Sequence, residues 1–391
     1  MIKNNLATAP APHLHSPLST QKIMAITLLS LVPAILVSIY FFGTGLLWQF
    51  LISAVTAFLC QLLVGFLRHR SLYKAVGDLS YLVTAMLLAL TLPPLLPFFL
   101  TIIVTAFAIL IVKECFGGLG MNIFNPAMAG FIFLLISAPA FVFNTYIAPA
   151  PEAYTAASLG KTYAVIFNHK NPIEIQDEIS KLNHHTDKIS TDIADSSSKK
   201  ASGLTSGATV DGTSGASVDS TSGATWLEKS KTARKSGQVQ DKPQINYLNG
   251  NELGYLYLSL AYALGGIVLL AFKIIFLRMV ISFFIAISCF TLLGQLIFPD
   301  LVLALDEQLI LGGTMLGAFY IITDPVTNAG TARGRIVFAI LCAFLIVLIR
   351  TFGSYSDAVA FSVLLANASA PLIDVLTHRR AYGYNFPKGG L

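Results

Sequence analysis

Two short polar segments interrupt a strongly apolar chain, and they hold the residues best suited to grip a ligand. The first runs Gly117-Gly118-Leu119-Gly120-Met121-Asn122-Ile123-Phe124-Asn125-Pro126 and leads into Ala127-Met128-Ala129-Gly130. Its glycines let the backbone turn sharply and approach another group closely. Pro126 suits the first turn of a helix, where N–H groups lack partners anyway. Those N–H groups can receive a carbonyl or an anion, and Asn122 and Asn125 add amide donors and acceptors. The same residues also fit a plain packing turn capped by asparagines. The second segment, Thr323-Asp324-Pro325-Val326-Thr327-Asn328-Ala329-Gly330-Thr331-Ala332-Arg333-Gly334-Arg335, puts Asp324 where helix gives way to loop. An acid there binds a cation or a ligand donor, or caps a turn. Arg333 and Arg335 read most simply as topology anchors.

Other chemistries find little support. The first segment is neither GxGxxG nor a Walker motif. His13, His15, His69, His169, His184, His185 and His378 all lie outside the apolar spans, which disfavours a haem or quinol-oxidising pair inside a bilayer. No Ser-His-Asp arrangement is visible. Cys60, Cys115, Cys289 and Cys342 form no CxxC pair, which argues against a zinc site or a disulfide framework. Asp78, Glu114, Arg350, Asp357 and Asp374 fall near span ends, where snorkelling or helix capping accounts for a charge. Asp78 and Asp374 border helices otherwise without charge, which raises interest in them.

The elements that position these residues follow from composition. Of 391 residues, 55% are hydrophobic and only 12% charged, with a mean hydropathy of +0.71. Soluble domains carry about 25% charged residues, so the apolar surplus must face lipid or other membrane helices. The net charge of +5 comes mostly from basic residues at helix ends and in one loop, which disfavours nucleic-acid binding. The polar, Pro-rich first twenty residues contain no apolar run of the signal-peptide kind. Spans are expected near 22–43, 45–67, 78–97, 98–113, 123–146, 253–274, 278–298, 308–323, 335–351 and 355–376. The expected fold is therefore an all-α polytopic membrane protein with about ten transmembrane helices and one long hydrophilic loop. Pro93, Pro94 and Pro97 mark a tight reversal, with a single broken span over 78–113 as the alternative.

Charge orients the spans. With ten of them, one side receives Lys3, Lys22, Arg68, Arg70, Lys74, Lys113, Lys273, Arg278, Arg333, Arg335, Arg379, Arg380 and Lys388. The other receives Asp300, Asp306, Glu307 and Asp357. Both termini are then cytoplasmic, and the chain divides into a tail (1–21), a five-helix half (22–146), an extracytoplasmic loop (147–252), a second five-helix half (253–376) and a tail (377–391). Thr84-Ala-Met-Leu-Leu-Ala89 echoes Thr314-Met-Leu-Gly-Ala318 on spans running in opposite directions, as two inverted five-helix repeats would produce.

Within the loop, 147–183 mixes apolar and polar residues and suits a small cap, whereas 184–242 is too polar to offset its ordering entropy and reads as disordered. A repeat with a period of eight runs Thr205-Ser-Gly-Ala-Thr209, Thr213-Ser-Gly-Ala-Ser217, Thr221-Ser-Gly-Ala-Thr225. Taken alone, it is better explained by slippage in a linker.

The strings GGLGMNIFNPAMAG, GTMLGAFYIITDPVTNAGTARGR, GDLSYLVTAMLLALTLPPLLP and LIRTFGSYSDAVAFSVLLANASAPLIDVLTHRRAYG are similar to those of D subunits of Rnf-type ion-translocating electron transport complexes. More distantly, they resemble the B subunits of sodium-pumping NADH:quinone oxidoreductases. The resemblance spans roughly 20–145 and 250–385. It implies FMN joined by a phosphoester to a threonine, installed outside the cytoplasm by a flavin transferase at Asp-x-x-Ser/Thr-Gly-Ala-Thr. Asp219-Ser-Thr-Ser222-Gly223-Ala224-Thr225 matches that pattern fully, although Trp226 replaces the family's usual proline. Thr209 lacks the aspartate and ranks second; Ser217 has it but ends in serine and ranks third. The resemblance further implies a noncovalent riboflavin in the membrane part, with Asn122, Asn125, Pro126, Thr323 and Asp324 as candidates; quinone or cation passage would use the same positions. Its implied partners are the other subunits, and its implied place is a bacterial inner membrane with the long loop periplasmic. The whole assembly, running electrons between NADH and ferredoxin, would be the enzyme. A secondary transporter without redox chemistry, or a scaffold subunit, are the competing readings.

Overall fold

The computed structural model describes residues 19–69, 77–146, 158–168, 253–353 and 358–378. Among them every regular element is helical: α1 (Thr20–Ser30), α2 (Val32–Phe42), α3 (Gly45–Leu67), α4 (Ser80–Thr91), α5 (Phe98–Ala106), α6 (Pro126–Ser137), α7 (Pro139–Thr145), α8 (Leu159–Asn168), α9 (Leu253–Ala271), α10 (Leu277–Ile297), α11 (Leu305–Ile310), α12 (Thr314–Leu316), α13 (Ala332–Phe352) and α14 (Val359–Thr377). Two stretches continue a helix with the wider π spacing: Phe107–Glu114 after α5, and Gly317–Ile321 after α12. Such spacing rotates side chains onto new faces and recurs at functional sites.

Among the described residues, six stretches are long and apolar enough to cross a bilayer: Thr20–Phe42, Gly45–Leu67, Leu253–Ala271, Leu277–Ile297, Ala332–Phe352 and Val359–Thr377. Ser80–Thr91 and Pro126–Ser137 are shorter apolar helices. Leu59 and Phe66 on α3, and Ile285, Leu292 and Leu296 on α10, are exposed. Whole apolar faces stay exposed only where the solvent is itself apolar. This is a multi-pass membrane protein.

Breaks fall where the backbone demands them. Pro33 at the start of α2 removes an N–H and separates α1 from α2 at Leu31. The span expected at 123–146 parts at Ala138, before Pro139, into α6 and α7. The span expected at 308–323 is also discontinuous. After α11 the chain passes through Gly312 and Gly313, at φ 62° and 67°, before re-entering helix at Thr314. Glycine adopts that left-handed backbone without a Cβ clash.

One apolar core runs through α1, α4, α6, α9, the α12 stretch, α13 and α14. The two halves of the chain meet along two seams: α1 and α2 pack on α9, and α6 packs on α14.

Candidate functional site

Both polar segments open onto one cavity, bordered by α1, α4, α6, α9 and the α12 stretch, with about 790 Å³ of empty space counted out through its mouth. Asn122, Asn125, Pro126, Thr323 and Asp324 all line it. Gly117, Gly118 and Gly120 turn the chain at φ 123°, 97° and 93°, which delivers the asparagines to the start of α6. Asn125 is the cap of that helix. Its Oδ1 accepts from the amides of Ala127 (3.1 Å) and Met128 (3.3 Å), with Pro126 in the first turn. The asparagine cap weighed from sequence is thus present at Asn125. Asn122 differs. Its amide nitrogen donates to Phe124 O at 3.1 Å, but its buried Oδ1 accepts nothing among the described residues. A buried acceptor without a donor is costly, and it points to a ligand N–H or O–H.

On the facing wall, Asp324 folds its own turn. Oδ1 accepts from the Val326 amide (3.1 Å) and Oδ2 from the Thr327 hydroxyl (3.0 Å). Thr323 donates its hydroxyl back to Phe319 O at 2.7 Å. Both residues therefore shape the wall with their side-chain oxygens engaged, Asp324 in its own turn and Thr323 on the preceding helical stretch. Asn367, in the middle of apolar α14, joins the two segments: its amide, oriented to pair both atoms, donates to Thr327 O and accepts from Asn125 N, each at 3.1 Å. Asn367 is not recognisable from sequence as a site residue. Its signal is a lone amide inside an otherwise apolar span.

The snorkelling account of the span-end charges fails for two of them. Glu114 and Arg350 are each only 3% exposed, and Lys113, expected in a cytoplasmic loop, is 2% exposed and lines the cavity. The π-helical turn before Cys115 carries Lys113 and Glu114 inward between α3 and α4. Lys113 Nζ donates to Ser80 Oγ (2.7 Å) and Gln61 Oε1 (3.3 Å), and lies 3.9 Å from Glu114 Oε1. Gln61 donates to Glu114 Oε1 (3.1 Å), and Arg68 pairs with Glu114 Oε2 (3.3 Å) and its carbonyl. Asp78 and Asp374 serve backbone amides of nearby turns and do not cap their own helices. Asp78 Oδ1 accepts from the Ser80 amide, and Asp374 from the amides of Gly330 and Thr331.

Arg350 plays for α12 the part that Lys113 plays for α4. It donates to Gln308 O and Oε1 (both 2.8 Å), Leu311 O (2.9 Å), Gly312 O (3.2 Å) and Thr314 Oγ1 (2.9 Å). Ser80 and Thr314 each begin a helix after a left-handed residue, Leu79 at φ 57° and Gly313 at φ 67°. Each hydroxyl accepts from a cation near the C-terminal end of a partner helix.

A second cavity, with about 990 Å³ of empty space including its mouth, lies at the other end of α1–α2, α4 and α9. Thr91, Tyr146, Tyr255, Ser259 and Tyr262 line it. Tyr146 and Tyr255 also flank the 147–252 segment. The two cavities are separated by Tyr262 and Tyr320, whose rings meet edge to face at 6.4 Å. Tyr320 is fixed by donating to Ser30 O at 3.0 Å, and Gly265 is required beside it, because a Cβ there would collide with the Tyr320 oxygen. Thr225, Thr209 and Ser217 lie outside the described residues.

A multi-pass helical bundle with two largely apolar cavities, each carrying a few polar side chains, and a buried charge cluster belongs to the class of membrane proteins that hold ligands or move charge within the bilayer. The chain belongs to the NQR2, RnfD, RnfE family, whose model matches residues 7–383. Its curated relatives carry the name of the D subunit of an ion-translocating oxidoreductase complex. One from Tolumonas auensis is 36% identical over 384 residues that cover 97% of this chain and 100% of the relative. The relative from Escherichia fergusonii is 36% identical, covering 96% and 98% of the two chains, and that from Shewanella frigidimarina is 38% identical, covering 96% and 97%.

Proposed function

We propose that this chain is the D-type membrane subunit of an ion-translocating oxidoreductase complex, relaying electrons through flavins and coupling that flow to ion movement. The observation that carries the reading is the meeting of the two polar segments at one cavity, whose lining includes Asn122 with its buried, unpartnered side-chain oxygen.

The residues present fit a noncovalent flavin, riboflavin, in this cavity. A flavin ring offers an N–H between two carbonyls and large apolar faces. Asn122 Oδ1 would accept from the ring N–H, Lys113 would hold positive charge at the polar edge, and Val83, Leu87 and Phe319 would cover the faces. When bound, the flavin supplies one- and two-electron chemistry. The protein's own part is to orient, to desolvate and, at Tyr262 and Tyr320, to keep the two cavities apart. FMN is proposed as a phosphoester on Thr225, with Thr209 second, placed there by a flavin transferase. The second cavity, lined by Tyr146 and Tyr255, which stand on either side of 147–252 in the sequence, is the proposed receptacle for a flavin tethered on that segment.

The proposed membrane is the bacterial inner membrane, crossed ten times, with both termini cytoplasmic and 147–252 periplasmic. Inverted five-helix halves are supported by the matched treatment of Ser80 and Thr314. The other subunits of an Rnf-type complex, working between NADH and ferredoxin, are the proposed partners. The discontinuous α11–α12 helix would equally suit a transporter without redox chemistry.

Extraction of the purified chain decides between them. Noncovalent riboflavin near one per chain is expected, and Asn122→Ala should release most of it while leaving Thr225-linked FMN. Wild-type protein without extractable or covalent flavin would favour the transporter.

A further inference from the structure

We propose that the basic cleft where α9, α10 and α13 converge binds the headgroup of an anionic phospholipid. The cleft is wide, with about 1400 Å³ of empty space counted to its open mouth, and Lys273, Arg278 and Arg335 all line it. Among the described residues, no lining side chain is acidic. The neighbouring carboxylate, Asp374, is turned to the loop, where it accepts from Gly330 N (2.9 Å) and Thr331 N (3.1 Å).

Arg335 is already oriented. Its Nε donates to Ala329 O at 3.2 Å and one terminal nitrogen to Gly330 O at 3.1 Å. Its guanidinium carbon stands 4.0 Å from the centre of the Phe276 ring. A planar cation fixed on an aromatic face is preorganised for a phosphate, because little side-chain freedom remains to be lost on binding.

The rest of the wall selects the source of that phosphate. Leu270, Ile275, Leu277 and Ile336 lie among the cations, with Phe276 and Leu277 about half exposed. A free phosphate would use the charges and leave this apolar wall uncovered. A phospholipid satisfies both, with phosphate at the cations and acyl chains along the helices. Charge complementarity at the headgroup level, with apolar walls just below, is the pattern of anionic-lipid pockets between membrane helices. Arg278 and Arg335 thereby gain a role beyond anchoring topology.

The test uses the full chain in neutral detergent. Native mass spectrometry after titration with phosphatidylglycerol, phosphatidylcholine or inorganic phosphate reads the bound species. Phosphatidylglycerol should be retained in preference to phosphatidylcholine. Lys273→Gln and Arg278→Gln should each weaken retention about fivefold, since each cation near an anionic headgroup contributes on that scale. Arg335 is left intact because it also holds the 329–330 turn. Equal retention of both lipids, or unchanged retention in the double variant, overturns the proposal. Displacement of phosphatidylglycerol by millimolar inorganic phosphate, with phosphate then bound, overturns the lipid assignment in favour of a free-phosphate site.

Discussion

Lys113→Met tests whether the buried charges form the network described. The substitution keeps the side chain's length and removes the ammonium. Hydrogen bonds to Ser80 (2.7 Å) and Gln61 (3.3 Å) disappear, and Gln61 Oε1 is left buried without that donor. Hydrogen bonds from a charged donor contribute about 1.5–3 kcal/mol each, and an orphaned buried acceptor costs a further ~1–3 kcal/mol. Two effects work the other way. A buried ammonium no longer has to be desolvated, and Glu114 keeps Arg68 at 3.3 Å. The net expectation is a loss of about 2–4 kcal/mol. Denaturant titration of the purified chain in detergent reads it as a lower midpoint at constant slope. Adding Gln61→Leu to Lys113→Met should not restore stability, because Gln61 also donates to Glu114 Oε1 at 3.1 Å and the double change leaves that buried oxygen with neither neighbour. A Lys113→Met protein as stable as wild type would show that Lys113 is not held between Ser80 and Gln61.

The remaining predictions concern the loops that frame the cavities. Asn367→Leu strips the partners from Thr327 O and Asn125 N, so it should cost about 2–4 kcal/mol and lower noncovalent flavin content, both measurable on one preparation. Arg350→Lys cannot reach Gln308, Leu311, Gly312 and Thr314 together with one ammonium; about 2 kcal/mol should be lost, read as a lower unfolding midpoint.

The apolar lengths make the membrane class legible, and the Gly-Asn-Pro and Thr-Asp-Pro segments are visible as breaks in them. That these two segments share one cavity is not legible from the residues alone, although the family resemblance names both for one flavin, because two contacts of Asn367 join them and one amide in a long helix says nothing of its neighbours. Lys113 and Glu114 defeat their expectation for a related reason. A charge at a predicted span end normally reaches water, but here the π-helical turn rotates both inward. Ser80 and Thr314 share a preceding left-handed residue and a buried cation at the hydroxyl, a likeness that the apolar echo of Thr84 with Thr314 does not reveal.

The covalent flavin is the most direct point at which the proposed electron relay can fail. Mass spectrometry of peptides covering residues 200–230, from protein made together with its flavin transferase, should find FMN joined through its phosphate to Thr225, and Thr225→Ala should remove it. Unmodified peptides across that whole range, in a complex that still transfers electrons, would contradict it.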